Sequence, residues 1–330
     1  MTTASLDIAL VRELMTLAGL AYGDPQSLDG YMSDGQSGPD GWSLIWAAHS
    51  DPVPTVFAFI ARHEASNRSA IVIRGTYPNP LNVAYWNDAT LDSPYGPMQP
   101  WPGDATGKAK ISQGTSTALQ DLLQQQGTVG TFSEAVAVLP VGELYITGHS
   151  LGGTLAPVVG LWLSERATPV VATAICAFAG MTPGNADFAV RFGHGSKLAG
   201  RVWRYNNTLD TVPYGWDRVW SAINFYQPKP SGGLLVKIVI FIMGLILKFY
   251  GFSAIGTEVR LVGKLNEPVL QNMLLSYVIE NLRQHLPQTY LDLLEGPTLP
   301  FTMGYGAIVS APTDPSVAHM WTKRPRAFYM

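Results

Sequence analysis

Residues 143–153 read Glu-Leu-Tyr-Ile-Thr-Gly-His-Ser-Leu-Gly-Gly, an apolar run followed at once by a glycine-flanked serine. The run Glu143–Thr147 has the length and composition of a β-strand. It leads into Gly148–Gly152, a G-x-S-x-G pentapeptide that is typical of a nucleophile on a sharp strand-to-helix turn. Small residues and a helical pattern come next. Strand, turn and helix in this order predict an α/β fold with Ser150 at the turn.

The pentapeptide occurs once in the chain, and its glycines have a physical task. A side chain at Gly148 or Gly152 would clash where the strand turns into the helix, and that turn forces Ser150 into a strained conformation. The turn also directs the helix N-terminus at negative charge that develops during a reaction. We therefore predict that Ser150 is a nucleophile. His149 is adjacent and points away, so we expect it to pack beside the site rather than act as the base.

Composition narrows the class of protein. Hydrophobic residues make up 47% of the 330 residues and charged residues only 14%, which argues against a disordered chain. The net charge of −3 provides no broad positive surface for phosphates, so no nucleic-acid partner is expected. A single cysteine, Cys176, excludes an intramolecular disulfide and a zinc site built from several cysteines. No signal peptide is visible, so a cytoplasmic location is the default expectation, with export left open.

Strand and helix patterns alternate on both sides of the turn. Helical periodicity marks residues 7–22 and 116–126, and strand patterns occupy 42–48, 55–61, 69–74, 170–178 and 201–205. This alternation predicts a mostly parallel central sheet flanked by helices. Because no internal repeat or clear linker divides the chain, a single domain over residues 1–330 is expected.

The base of the nucleophile should follow it, because the chain order in this fold is Ser, then Asp or Glu, then His. His194, His285 and His319 all qualify by position. His194 leaves little room for an intervening acid and lies in a glycine-rich stretch that is typical of a loop. From the residues alone, either His285 or His319 could be the base.

Three aspartates compete for the role of the acid. Asp210 follows a strand pattern after a short loop, a position in which a carboxylate can meet an imidazole. Asp187 comes early for a triad acid. Asp217 has Arg218 beside it and is more simply interpreted as an exposed charged residue. An aspartate in such a loop is often only a turn or cap residue, so its position does not settle the role of Asp210.

Several motifs together resemble the class 3 lipases, the fungal-type triacylglycerol lipases of the α/β-hydrolase fold. They occur in the order of that family over residues 21–290 and are far more specific than the pentapeptide alone. The matching pieces are Ala21-Tyr22, Ile71–Thr76, Trp86-Asn87-Asp88, Gly148–Gly153, Phe178-Ala179-Gly180, Asp210–Pro213, and His285 with Tyr290.

The resemblance implies an α/β-hydrolase fold and a catalytic triad of Ser150, Asp210 and His285, with His319 as the main alternative base. It implies a carboxylic ester hydrolase, in particular a triacylglycerol lipase that acts on long-chain acyl esters through an acyl-enzyme. The expected partner is therefore a lipid or ester substrate.

The resemblance also implies an oxyanion hole. The backbone N–H groups of Thr76 and Leu151 would bind the negative charge of the tetrahedral intermediate. No cofactor is expected, and no metal, because the chain has no His-Glu-x-x-His motif or acidic loop with calcium-ligand spacing. The alternatives are a short-chain or feruloyl-type esterase on the same scaffold and a non-catalytic, membrane-associated binding protein that retains the fold.

Two segments, at about 77–107 and 228–256, are predicted to form a hydrophobic lid or cap. The first is rich in Pro, Gly, Trp and Tyr and is too long for a passive connection. The second contains Leu234–Phe252, where ten uncharged residues separate Lys237 from Lys248. A transmembrane helix, a buried core helix and a lid or interfacial docking helix all compete. The last is favoured, because the lysines share one face and would form a wet seam opposite an apolar face offered to lipid.

Overall fold

The computed structural model of the protein describes residues 6–49, 56–76, 96–166, 170–226, 232–265, 273–303 and 308–310. Among them, a seven-stranded sheet forms the centre. Its strands, in order across the sheet, are β1 (Trp42–Ala47), β2 (Ala58–His63), β3 (Arg68–Ile73), β6 (Glu143–His149), β7 (Ala174–Phe178), β8 (Val202–Asn207) and β9 (Thr257–Leu261). The short strands β4 (Gln99–Pro100) and β5 (Lys110–Ile111) pair with each other, as do β10 (Phe301–Met303) and β11 (Ile308–Ser310).

Helices lie around this sheet. They are α1 (Ile8–Leu20), α2 (Leu28–Ser33), α3 (Gln113–Gln124), α4 (Phe132–Ala137), α5 (Leu151–Ser164), α6 (Ala186–Val190), α7 (Gly233–Lys248), α8 (Met273–His285) and α9 (Pro287–Leu293). Short 3-10 helices occupy Pro25–Ser27, Glu64–Ser66, Val212–Tyr214 and Val219–Asn224.

The mode of strand pairing changes once across the sheet, from antiparallel to parallel at β3. Strands β1, β2 and β3 are antiparallel neighbours, whereas β3, β6, β7, β8 and β9 all run parallel. The prediction of a mostly parallel sheet flanked by helices is therefore confirmed, with strand and helix ends shifted by a few residues. The carboxyl ends of parallel strands lie at the same edge of a sheet. The loops that follow β6 and β8 therefore lie on the same side of the molecule.

Burial follows from the sequence of the central elements. Strand β7 is buried along its whole length, as expected of an apolar strand covered on both faces. Helix α5 follows the Ser150 turn, is almost entirely buried, and packs on β6 and β7. Helix α1 is buried on all sides from Leu14 to Leu20, and the Asp7 side chain caps its start by accepting from the backbone N–H of Ala9. The nucleophile turn is thus held between a rigid strand and a buried helix.

The chain between β8 and α8 contains an unusual crossover. Helix α7 connects the parallel strands β8 and β9, a position in which a helix normally buries its apolar face on the sheet. Here α7 packs chiefly on the 3-10 helix Val219–Asn224. It buries Ile240, Gly244 and Leu247 and leaves most of its other large apolar side chains exposed.

The exposure of these side chains corrects two interpretations of Leu234–Phe252, the buried core helix and the solvated stripe of lysines. A core helix would be buried all round, and α7 is not. The expected wet seam is wrong in part, because Gly244 faces the protein body and Lys237, on the same stripe, is half-buried. In the described residues, we find no helix with the length and hydropathy that crossing a membrane requires.

The single domain over 1–330 and the two lid segments remain predictions. Of the first lid segment, residues 77–95 lie outside the described residues, and β4 lies in the rest. Of the second, residues 228–231 lie outside them.

Candidate active site

Ser150 lies between β6 and α5 in a strained backbone conformation. Its φ of 60° and ψ of −124° fall in a region that side-chain-bearing residues rarely occupy. The turn is tight because backbones approach closely: a Cβ atom on Gly152 would clash with the carbonyl oxygen of Ile73, and one on Gly148 would clash with Gly152 itself. The local geometry predicted from the pentapeptide is therefore present.

A histidine and an aspartate from distant parts of the chain meet this serine. The Nε2 atom of His285 lies 2.8 Å from Ser150 Oγ, and its Nδ1 atom lies 2.7 Å from Asp210 Oδ2. Asp210 comes from the loop after β8, and His285 is the last residue of α8. The aspartate side chain is fully buried, whereas 22% of the histidine side chain is exposed. The three side chains form one continuous hydrogen-bonded line from a buried anion to the serine hydroxyl.

The Asp210 carboxylate is fully hydrogen-bonded. Besides the His285 ring, the hydroxyl of Tyr290 donates to Oδ2 at 2.8 Å, and the backbone N–H of Val212 donates to Oδ1 at 2.9 Å. A buried carboxylate needs such donors, because an ionised group without them would pay a large desolvation penalty. The local fold thus stabilises Asp210 as an anion beside the histidine.

Tyr290 is itself fixed on both sides of its hydroxyl. Its oxygen accepts from the backbone N–H of Asn207 at 3.1 Å while its proton goes to Asp210. Burial and the nearby Asp210 carboxylate raise the pKa of Tyr290 well above its ordinary value. The phenol therefore stays protonated and remains a donor.

A buried amide pair positions helix α8. The side-chain NH₂ of Asn207 donates to the carbonyl and to the side-chain oxygen of Gln284, the residue before His285, at 2.9 and 2.7 Å. Gln284 is fully buried and donates in turn to the carbonyl of Lys264 and to Glu280, both at 2.7 Å. Strand β8 thereby fixes the chain at the histidine as well as at the aspartate. Sequence reasoning missed this pair, because its two halves are far apart in the chain.

His149 packs beside the site, as its position next to the serine predicted. Its ring lies 4.8 Å from that of His285 and 5.3 Å from that of Tyr290, measured between centroids, and its Nδ1 atom is 2.9 Å from the Tyr22 hydroxyl. Burial and the neighbouring His285 lower the pKa of His149 well below its ordinary value. A neutral, immobilised imidazole therefore supports one side of the His285 ring.

The two implied oxyanion donors lie at the same edge of the sheet. A Cβ atom on Gly75 would lie 2.7 Å from the Ser150 Cβ, so the backbone just before Thr76 is in contact with the serine. Leu151 is the first residue of α5, and its N–H has no acceptor within the helix. Such groups at a helix N-terminus bind anions.

The structure places the rival candidates elsewhere or does not describe them. Asp217 is not the exposed residue that was expected: it accepts from Thr182 Oγ1 at 2.7 Å and pairs with Arg218, and only 9% of its side chain is exposed. Asp187 lies in the first turn of α6, and His194 is exposed in a loop. His319 and the motif Trp86-Asn87-Asp88 lie outside the described residues.

No group of His, Cys, Asp and Glu in the described part of the chain could hold a metal ion. Burial within β7 raises the pKa of Cys176 above its ordinary range and makes it inert.

Comparison with known proteins finds a family match over part of the chain and structures with a similar fold. Residues 70–215 match the family model described as lipase (class 3). The structure is similar to that of M37 lipase, with a TM-score of 0.65 and 23% identity over 87% of this chain and 91% of that one. It is also similar to Lip2 lipase from Yarrowia lipolytica, with a TM-score of 0.52 and 15% identity over 88% of this chain and 94% of that one. No curated protein sequence matches.

These findings confirm the resemblance that the motifs indicated. The structural similarities, at such low identity, establish the fold, and the family match covers most of β3, the Ser150 turn and the loop that contains Asp210. Together they confirm the predicted class of protein, a serine ester hydrolase with the fold of the lipases.

Proposed function

We propose that this chain, a serine ester hydrolase similar to the class 3 lipases over residues 70–215, hydrolyses long-chain acyl esters such as triacylglycerols. The catalytic residues in this proposal are Ser150, His285 and Asp210. One observation carries it: the His285 ring is hydrogen-bonded on one side to the serine hydroxyl, at 2.8 Å, and on the other to a buried carboxylate, at 2.7 Å.

The first half-reaction follows from this arrangement. Asp210 holds the proton of His285 on Nδ1, so the lone pair of Nε2 faces the hydroxyl of Ser150. His285 takes the serine proton as Oγ attacks the ester carbonyl. The tetrahedral intermediate collapses, the imidazolium protonates the leaving alcohol, and the acyl group remains on the serine.

Water completes the reaction by the same route. His285 removes a proton from the water, which attacks the acyl-enzyme, and then returns the proton to Ser150 Oγ as the fatty acid leaves. In both halves, the N–H groups of Thr76 and Leu151 stabilise the negative oxygen. Loss of one such donor typically costs about 3 kcal/mol of transition-state stabilisation.

Tyr290 acts as a positioning residue, because it donates to the carboxylate rather than to the reacting atoms. We expect Tyr290→Phe to lower kcat roughly tenfold, about 1.4 kcal/mol, with KM nearly unchanged, since an Asp210 carboxylate without this donor is held less firmly in line with the His285 ring in the transition state. Steady-state kinetics on a dissolved ester check this.

Tyr22→Phe is the matched control for this prediction. It removes a buried hydroxyl at the same site, but one that contacts His149 instead of Asp210. An equal fall in kcat in both variants, or a fall in thermal stability alone in Tyr290→Phe, would assign Tyr290 a purely structural role.

The proposal of long-chain substrates is based on the exposed apolar surface of α7, the helix that connects β8 and β9. A soluble short-chain esterase needs no large exposed apolar face, whereas an enzyme that acts on aggregated lipid must contact the aggregate. Helix α7, which follows Asp210 in the chain after two 3-10 helices, exposes such a face. The proposal therefore includes contact of Leu234–Phe252 with a lipid–water interface.

Two other functions make different predictions. A short-chain or feruloyl-type esterase would prefer butyrate or hydroxycinnamate esters to long-chain ones. A non-catalytic binding protein would hydrolyse none of them, and nothing in its function would require the hydrogen-bonded line through His285. The retained line favours catalysis.

Activity on emulsified long-chain and dissolved butyrate p-nitrophenyl esters tests this proposal. We expect the natural chain to hydrolyse both and to prefer the emulsion. Replacing residues 234–252 by a short Gly/Ser linker should reduce activity on the emulsion about tenfold more than on butyrate, because interface contact scales with buried apolar area. Equal loss on both substrates, in a protein that still folds, would contradict the interfacial role. Preference for butyrate in the natural chain would favour the short-chain alternative.

A further inference from the structure

Helix α7 presents an unusually continuous apolar surface. Leu234, Leu235 and Phe249 are exposed by 75%, 67% and 91%. Further large apolar side chains of the same surface are Ile238, Val239, Phe241, Ile242, Leu245 and Ile246. A contiguous exposed patch of this kind marks an interaction site, whereas scattered exposed apolar residues do not. We call these nine residues the outer face of α7.

The opposite side of the helix is held firmly to the protein. The indole N–H of Trp220 donates to the carbonyl of Phe241 at 3.2 Å, and the ring lies so close to Gly244 that any Cβ there would clash with it. The segment carrying Trp220 is fixed by Arg218, which donates to both oxygens of Glu258 on β9 at 2.9 and 3.1 Å. The outer face is therefore a stable feature of the fold, although the ring of Phe241 also lies against that of Trp220, with 6.4 Å between the centroids.

All charged side chains in the segment that carries the outer face are positive. The sequence contains no Asp or Glu between Asp217 and Glu258, although the whole chain has net charge −3. Lys237 and Lys248 lie near the two ends of α7, and among the described residues no carboxylate forms an ion pair with either. The segment that carries the apolar face therefore contributes positive charge and no negative charge, which suits a negatively charged partner.

We infer that the outer face of α7 docks on an anionic lipid surface, with the helix lying in the interface. This inference rests on the proposed function and specifies the surface that the enzyme contacts. The apolar side chains enter the boundary between headgroups and acyl chains, and Lys237 and Lys248 reach anionic headgroups at either end. An interfacial helix of this kind needs no membrane-spanning length.

A second copy of the chain fits this surface less well. Pairing two outer faces would bring the lysines of both copies together around an apolar contact, with no acidic residue of either α7 segment to compensate. Like charges juxtaposed at an interface oppose association. An anionic lipid surface has the complementary charge and accepts an apolar face of any shape.

Vesicle co-sedimentation tests the inference, using Ser150→Ala protein so that hydrolysis does not alter the lipid. We expect stronger binding to vesicles of phosphatidylglycerol and phosphatidylcholine than to phosphatidylcholine alone. Adding Lys237→Gln and Lys248→Gln should weaken binding to the anionic vesicles by about fivefold for each lysine. The matched control, Lys108→Gln with Lys197→Gln, removes two exposed lysines elsewhere and should change little.

A second variant tests the apolar side chains. Ile238→Ser, Ile242→Ser and Leu245→Ser together should abolish binding to anionic vesicles, and all three of these side chains are exposed. Its control, Val129→Ser with Val141→Ser and Val190→Ser, removes three apolar side chains that are exposed by 73–94% outside α7. Equal binding of the outer-face variant and its control would overturn the inference, as would equal binding of the unaltered surface to both vesicle types.

Two further measurements keep the inference separate from the proposed function. Hydrolysis of dissolved butyrate ester by chains that retain Ser150 should be the same with and without the outer-face changes. Loss of vesicle binding with this activity intact would assign the failure to docking alone. Sedimentation equilibrium should show a monomer, and a dimer that the Ser substitutions dissociate would assign the face to a second copy and contradict lipid docking.

Discussion

Ser150→Ala is expected to lower kcat for every ester substrate by about a millionfold while the protein remains folded. The reason is that a triad acts as a unit: without the hydroxyl no acyl-enzyme forms, and only the binding and oxyanion contributions remain. The substitution removes one oxygen that is bonded to His285 and leaves the backbone hydrogen bond from Ser150 N–H to Phe178 in place. Hydrolysis of p-nitrophenyl butyrate and the thermal midpoint measure the two effects.

Covalent labelling provides the control for the nucleophile. A long-chain alkyl phosphonate should modify Ser150 in the natural chain and nothing in the Ser150→Ala variant. Ser221→Ala, which removes an exposed hydroxyl, should retain full activity and full labelling. Phosphonate found on another serine would contradict the assignment of the nucleophile.

His285→Ala is expected to be nearly as inactive as the serine variant. The imidazole is the only described group within hydrogen-bond reach of both Ser150 and Asp210, so its loss removes proton transfer in both halves of the reaction. It also leaves the buried Asp210 carboxylate with one donor fewer. We therefore expect kcat to fall about a millionfold, together with a modest loss of stability of about 1–3 kcal/mol.

Two other histidine variants are the controls for this result. His194→Ala changes an exposed loop residue and should retain full activity. His319→Ala should also retain it if His285 is the base. Activity that survives in His285→Ala and disappears in His319→Ala would transfer the role to His319.

Helix α8 shows how the proposed base depends on parts of the fold that no catalytic motif contains. His285 terminates this helix, and the residue before it is fixed to Asn207 on β8. The same strand leads into Asp210 and supplies, through Asn207, the N–H that holds Tyr290. One strand end therefore sets the position of acid, base and supporting tyrosine together, which accounts for the precise spacing of the three groups.

Features that depend on neighbouring residues could be predicted from the amino-acid sequence. Apolar runs of strand length and helical periodicity predicted the parallel sheet and its helices, because side-chain period and burial are local properties of the chain. The glycines around Ser150 predicted its strained turn because the pentapeptide is itself a local pattern, although the structure shows that a Cβ on Gly152 would clash with Ile73 of β3, far away in the chain. The resemblance then implied which aspartate and histidine to expect.

Relations between residues that are distant in the chain could not be predicted in this way, because they depend on how the elements pack in three dimensions. Asp217 was expected to be exposed. Its side chain is largely buried, and it accepts a hydrogen bond from Thr182, which lies in another loop. The lysine stripe of α7 was expected to face water, and part of it faces the protein because Trp220 covers Gly244. Helical periodicity states which residues share a face but not which way that face points. The direction is set by the elements packed against it, through contacts that no local pattern contains.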